Sequence, residues 1–433
     1  MKVFGFLLFI LYTIIAPFIQ FLFYLAIFLS PRARRFHELR LRADIEIKTL
    51  EVTNNNLYWL HGASVGELDQ AKALAREIKR REKNCLLLLT WVSDSVTERN
   101  LIDSPCDYHY PLPLDGPFSY NLILRTFRPK KLILFAWDTW AWLIRSAKSS
   151  NCQVYLVCAT LGDTSSRNKG VLSYFTKLIF SWLDGVYPAH SILEKDFLSI
   201  LSSKQKSLMK TLGDTRFDAV VQRIQNTKPN LHFQDWATKN RKFHEGKLNL
   251  VFASTYPNSE LGIIEWLSTT RLKGRISLWI FPHKIKKERL DTIQERVQSS
   301  AWSLSKFSEN KPESEIQLMD ELGLLAYAYQ HANLVYVGGG FQHRIHNVIE
   351  PAYFGNPIFT GRKIENSSEA LVLESLHGLF RYPSMMELLL DLELKIVNQF
   401  DFSEIRLRNK NFVLANTGAS QRIYEEIWKH PKV

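Results

Sequence analysis

Glu67 closes the run HGASVGE, residues 61–67, three positions after Ser64. A glutamate at the mouth of a cleft can act as a general base, taking the proton from an attacking hydroxyl. The same spacing also spells a helix start, with Ser64 as cap, Glu67 as the third helical residue of a capping box and Gly66 loosening the turn. The two roles are compatible. A second group of candidates occupies residues 336–355, YVGGGFQHRIHNVIEPAYFG, where Gly338, Gly339 and Gly340 end an apolar run and Asn347 and Glu350 follow. Glycines after a buried strand let the backbone approach a ligand, and a helix beginning near Asn347 would turn free N–H groups toward a phosphate or carboxylate. Glu350 could accept from a ribose hydroxyl, and Pro351 in the first turn of that helix costs little.

Weaker candidates lie between these two groups. Ser254 and Thr255, in FASTYPNSE, could donate to a phosphate or cap the helix that follows. His283 and Lys284, in FPHKIKKER, could face a phosphate, although a solvated basic helix start has the same composition. Gly323, in MDELGLLAYAY, opens a short helix whose amides could meet a base or phosphate, while Leu324, Leu325 and Tyr327 read as packing. Trp137, Trp140 and Trp142 read as cleft-wall or core aromatics. Cys85, Cys106, Cys152 and Cys158 stand at unrelated spacings and read as reduced thiols. The chain has no CxxC pair and no HExxH helix, and His343 and His346 fall in a turn, so no metal site is expected.

These residues need a scaffold, and the apolar runs supply one. LYWL at Leu57, CLLLLTWV at Cys85, KLILFAW at Lys131, QVYLVCA at Gln153 and GVYPA at Gly185 alternate with helical patterns, as in a parallel sheet with crossover helices. A charged segment poor in apolar runs follows, and then LNLVFAS, ISLWIFP, IQLM, LVYVGGG and PIFTG restart the alternation. The fold expected is α/β, with two Rossmann-like domains facing a cleft and ligands at the carboxyl ends of the strands. The divisions expected are an anchor at 1–30, a first Rossmann-like domain at 31–225, a linker at 226–247, a second Rossmann-like domain at 248–410 and a terminal helix at 411–433.

From Val3 to Ser30 the chain carries no charge, long enough for a helix to cross a hydrocarbon core, with Pro17 expected to kink it. Arg32, Arg34, Arg35, Arg40 and Arg42 follow, against Lys2 and the amino terminus before it. The expectation is a single-pass anchor in the cytoplasmic membrane with the remaining chain in the cytoplasm, and the same arginines could hold anionic headgroups. Over 433 residues, 46% of them hydrophobic, there is material for two cores. The 55 Lys and Arg against 43 Asp and Glu favour anionic partners. Zinc-finger, homeodomain and RNA-binding signatures are absent, so a membrane or a phosphorylated substrate is expected and nucleic acid is not.

In this order, HGASVGE, PLPLD at Pro111, LGDTRFD at Leu212, ASTYP at Ala253, PHK at Pro282, YVGGGF at Tyr336 and IHNVIEPAYFGNPIFTG at Ile345 resemble the bacterial transferases of 3-deoxy-D-manno-octulosonic acid (Kdo). The resemblance runs from the anchor to about Ala370. It implies a GT-B fold and an inverting, metal-independent transfer of Kdo from CMP-Kdo to a lipid A precursor at the inner membrane. CMP leaves readily, so no cofactor is implied. By position, Glu67 matches the family's base. Ser254, Thr255 and His283 match residues around the CMP phosphate, Gly323 and Leu324 a turn near the nucleotide, and Asn347 and Glu350 the pair that holds the donor after the Gly339–Gly340 loop. Ser64, Asp138 and Arg216 are possible acceptor or transition-state contacts.

The departures bear on specificity. Where the family has Glu-Thr-Glu-Leu-Trp-Pro, this chain has Asp138-Thr139-Trp140-Ala141-Trp142-Leu143. The arginine of the family's Asn-Ala-Arg-Leu-Ser run is Thr160, and Gln342 and Arg344 stand where small residues are commoner. A transferase for another activated ulosonic acid or lipid acceptor, and a non-catalytic family member, are therefore the alternatives.

Overall fold

All ten apolar runs form strands, and every pairing between neighbours is parallel. The computed structural model describes residues 2–53, 56–161, 167, 169–226, 230–298 and 301–429. It divides into one unit of Met1–Ala219 with Thr417–Val433 and a second of Val220–Asn416.

The first unit holds β1 (Leu57–His61), β2 (Leu86–Trp91), β3 (Tyr108–Pro111), β4 (Lys131–Phe135), β5 (Gln153–Ala159) and β6 (Gly185–Pro188), in the order β3-β2-β1-β4-β5-β6. The direction of winding reverses between β1 and β4, so the loop after β1 sits at the topological switch point where α/β sheets bind ligands. Both faces are covered: Leu57 and Trp59 enter one core with Leu132 and Leu134, while Tyr58 and Leu60 enter the other with Leu68 and Ile133. Burial on both sides explains why the strands read as continuous apolar runs.

The second unit holds β7 (Leu248–Thr255), β8 (Ile276–Pro282), β9 (Leu304–Lys306), β10 (Ile316–Leu318), β11 (Leu334–Val337), β12 (Ile358–Gly361) and β13 (Leu379–Tyr382), ordered β13-β12-β11-β7-β8-β10-β9. Here the switch lies between β7 and β11, at the ends that carry Ser254 and the glycine loop.

Three segments differ from the sequence reading. The boundary between units falls after Ala219, within the helix Thr215–Asn226. The expected linker carries a helix, Leu231–Phe243, whose Phe233 and Trp236 are buried against Trp279 of β8; its apolar residues are spaced for one helical face, which a search for strand-like runs overlooks. The tail belongs to the first unit, where Ile423 and Ile427 join the core and the Tyr424 hydroxyl donates to Glu82. Met1, 227–229 and 430–433, parts of the expected anchor, linker and tail, lie outside the described residues.

At the amino end, α1 (Lys2–Leu29) runs unbroken through Pro17, and α2 (Pro31–Thr49) starts at a Ser30 cap with proline in its first turn. Among the described residues α1 is the one helix long and apolar enough to cross a membrane.

Candidate functional site

In the first unit the candidate base is placed by its own helix. The helix α3 (Val65–Arg81) follows β1 directly, with Ser64 as its cap, and Leu68, Ala71, Ala75 and Ile78 bury the face expected from their spacing. The Ser64 backbone N–H donates to Glu67 Oε2 at 2.7 Å, and the Ser64 hydroxyl donates to the same oxygen. Oε1 has no partner among the described residues, and the side chain is half-buried. Gly62 makes this turn possible, because a Cβ there would stand 2.7 Å from the Glu67 carbonyl.

Beneath the loop, His61 is fully buried, with Nε2 2.7 Å from Asp138 Oδ2 and Nδ1 2.9 Å from the Thr90 hydroxyl. Trp59 Nε1 donates to that hydroxyl at 2.8 Å. A carboxylate only accepts, so His61 donates to Asp138 from Nε2. Asp138 is thereby turned inward, supporting the residue that precedes the loop. Arg216 is likewise bound to Asp214, through Nε at 2.8 Å and Nη2 at 2.6 Å. Burial alone would raise the Asp214 carboxyl, but Arg216 and a 2.7 Å bond from Gln70 hold it below the usual carboxylate range. Since Gln70 belongs to α3, this pair braces the helix that bears Glu67.

Arg167 was not singled out in the sequence. Its guanidinium donates to the Trp137 carbonyl at 2.7 Å and the Thr139 hydroxyl at 3.1 Å and lies over the Trp137 ring. A cation thus reaches the 137–139 segment although position 160 is threonine. Residues 162–166, which follow Leu161 in that run, lie outside the described residues.

In the second unit the glycines meet protein rather than open space. A Cβ on Gly338 would collide with the Ser254 carbonyl, one on Gly339 with the Arg344 carbonyl, and one on Gly340 would come within 2.6 Å of the Gly361 carbonyl. Gly339 also has φ +94°. The triplet is thus required where the ends of β7, β11 and β12 converge. Ser254 itself, a non-glycine, holds φ 52° at a register shift in β7, and strain of this kind collects at functional sites. Its half-buried hydroxyl has no partner among the described residues. Thr255 differs: it is fully buried and its hydroxyl donates to Glu260 Oε1 at 2.6 Å. Glu260 also binds Arg289, which donates to the Thr255 carbonyl at 2.8 Å. Thr255 is therefore scaffold through its side chain.

His283 is exposed, stacks on Tyr256 with ring centres 5.0 Å apart, and meets the tilted ring of His346 at 4.6 Å. Tyr256, which the sequence reading passed over, and His346, which it placed only in a turn, are joined at 3.1 Å between the phenol oxygen and Nε2. Burial, then the adjacent His283 and Arg344, pushes His346 down to about 4. The signal for both was present, since Tyr256 follows Ser254-Thr255 and His346 precedes Asn347. The helix after the loop is short, Ile349–Tyr353, and the Asn347 side chain accepts from the Ile349 N–H at 2.9 Å. Glu350 pairs with Arg223. Gly323 takes φ +86°, and Leu324, buried, precedes the helix Leu325–Ala328. Among the described residues no three His, Cys, Asp or Glu side chains are grouped to hold a metal ion.

Residues 34–219 match a family model described as 3-deoxy-D-manno-octulosonic-acid transferase. The chain is 24% identical to a 3-deoxy-D-manno-octulosonic acid transferase of Haemophilus influenzae over 85% of each chain. It is 25% identical to one of Chlamydophila psittaci over 72% of this chain and 70% of that one. Among solved structures, the UDP-GlcNAc 2-epimerase of Neisseria meningitidis aligns with a TM-score of 0.61 at 14% identity, over 86% of this chain and 99% of that one. MurG of Acinetobacter baumannii aligns at 0.53 and 12% identity, over 86% and 99%. These two likenesses establish the fold, two parallel-sheet α/β units of the GT-B type.

Proposed function

We propose that the chain is a member of the 3-deoxy-D-manno-octulosonic-acid transferase family it resembles, and that it carries out an inverting transfer of Kdo from CMP-Kdo to the sugar hydroxyl of a lipid A precursor, in lipopolysaccharide synthesis. Glu67 Oε1 takes the proton of the acceptor hydroxyl as its oxygen bonds to the anomeric carbon from the face opposite CMP. The bond from that carbon to the CMP phosphate oxygen breaks, and CMP leaves with the electron pair. Ser254 and His283 are the donor-side groups, with their side chains open to a phosphate, and the Gly339–Gly340 loop shapes the floor beside them. Asn347 and Glu350 hold the nucleotide side of the donor, and Gly323 and Leu324 supply the turn near it. On the acceptor side Ser64 orients the base, while Asp138 and Arg216 act from behind the loop. The donor and the lipid are the partners, and α1 attaches the chain to the inner membrane with both units on the cytoplasmic side.

The observation that carries this reading is the half-open carboxylate of Glu67 at the switch point of the first sheet, tied on one oxygen only. Glu67→Gln tests it, because glutamine serves equally as the third residue of a capping box and leaves the helix start intact. Turnover of CMP-Kdo and a lipid A precursor, followed by CMP release and product mass, is expected to fall by about 10²- to 10⁴-fold with donor binding retained. Unchanged turnover would remove Glu67 from the role.

A further inference from the structure

We infer that α1 does not cross the bilayer: it lies within the cytoplasmic interface, docked lengthwise on the first unit, and seats the enzyme on an anionic phospholipid surface beside the Glu67 loop. The inference rests on the reading of α1 as the membrane attachment.

Two opposite stripes divide the helix. Gly5, Phe9, Tyr12, Ala16, Gln20 and Phe23 recur every three or four residues and face the protein. A Cβ on Gly5 would stand 2.7 Å from the Tyr174 carbonyl. Phe9 packs on Trp142 and Trp182 with ring centres 5.0 and 5.1 Å apart. The Tyr12 hydroxyl donates to Asp115 at 2.6 Å, and Gln20 Nε2 donates to the Leu114 carbonyl and the Ser119 hydroxyl, each at 3.2 Å. Phe23 meets Phe36 of α2 at 5.1 Å. From Gly5 to Gln20 the helix rises about 22 Å, most of a hydrocarbon core. A crossing helix would carry all these partners into lipid with it. Among them is Asp115, which also accepts from Tyr120, Trp142 and Leu143 and whose ionised form would be expensive at that depth.

The other stripe, Val3, Leu7, Ile14, Phe18, Phe21 and Phe28, is apolar throughout and exposed, Ile14 by 68% and Phe28 by 78%. Exposed apolar residues of the first unit flank it: Val171 and Leu172, one turn before the Tyr174 that Phe4 touches, and Phe118, next to Ser119. An apolar surface of this length needs a cover. The charge beside it selects a lipid surface, since Arg34 and Arg35 are exposed in the first turns of α2, at the corner where α1 ends, and Arg42 is exposed further along the same helix. That corner borders a cavity of about 330 Å³ lined by Phe23, Ser30, Arg32, Phe36, Ser93 and Asp94. The Ser93 N–H donates to the Ala63 carbonyl at 2.9 Å, in the loop that leads to Glu67. The cavity therefore borders the loop that carries the candidate base.

The test uses the full chain reconstituted on sealed vesicles of phosphatidylethanolamine and phosphatidylglycerol. The four native cysteines are buried, so introduced thiols report alone. Lys410→Cys in the second unit marks the side on which that unit lies, and Lys2→Cys reports the amino end. Labelling of both by a membrane-impermeant maleimide in intact vesicles is the expected result. Nitroxides at Val3→Cys, Ile14→Cys and Phe28→Cys should then share one depth. Labelling of Lys2→Cys only after permeabilisation, with Ile14 deep between shallow ends, would overturn the inference while leaving membrane attachment intact. A chain that does not float with the vesicles, or is recovered as a dimer closed over α1, would overturn the membrane reading and the inference with it.

Discussion

The candidate residues of the two units are held in opposite ways. In the first unit the candidate base is fixed by a partner three residues away, the Ser64 N–H and hydroxyl on one carboxylate oxygen. In the second, the candidate donor residues depend on contacts distant in sequence: Ser254 lies beneath Gly338, His283 packs against His346, and Glu350 pairs with Arg223. A local device can be altered without loosening the fold around it. A convergent one cannot, so chemistry and stability should separate cleanly in the first unit and only residue by residue in the second.

The largest expected effect is the loss of turnover in Glu67→Gln with no change in melting temperature. A matching fall in melting temperature would erase the contrast between the units. Next, Glu260→Ala removes the buried partner of Arg289 and Thr255 and should destabilise the second unit by about 3 kcal/mol. Denaturant unfolding measures this, and an unchanged midpoint would show that the convergent contacts bear little load. Within the same strand end, Ser254→Ala should weaken CMP-Kdo binding by about tenfold at constant stability, whereas Thr255→Val should lose about 1 to 2 kcal/mol of stability at constant affinity. Calorimetric titration alongside melting separates the two, and a reversed pattern would exchange their roles.

The smallest effect is on pH. His346 is held near 4 against an ordinary value of 6.5, by burial first and then by His283 and Arg344. Between those values the unfolded chain binds the proton and the folded unit does not, so stability is full above about 6.5 and falls as pH drops toward 4. His346→Gln should flatten that decline in the melting temperature, and a slope unchanged by the substitution would place its origin elsewhere.

Legibility followed the same division. The ten strands announced by apolar runs all formed: nine are central parallel strands buried on both faces, and the edge strand Gly185–Pro188 is also buried throughout. The three that were not anticipated, Tyr108–Pro111, Leu304–Lys306 and Leu379–Tyr382, are all at sheet edges, where short and partly exposed strands leave no continuous run. The helix in the expected linker was obscured by its charged face. Ser64 and Glu67 were readable as a pair because a capping box is local. Thr255 was not readable as scaffold, because its partners Glu260 and Arg289 come from two different helices, Pro257–Thr269 and Lys287–Gln298.

By itself the sequence determined the two α/β units, the helix start that carries Glu67, the position of the glycine loop after its strand, and an apolar amino-terminal helix. All of these follow from periodicity, capping and short-range sterics, which act over a few residues. Tertiary structure alone decided that the glycine triplet makes room for neighbouring backbone, that Asp138 turns inward to His61, that Tyr256 and His346 join His283, and that one stripe of α1 docks on the first unit. Each of these depends on which distant segment arrives opposite, and that is settled by how the sheets wind and their helices pack.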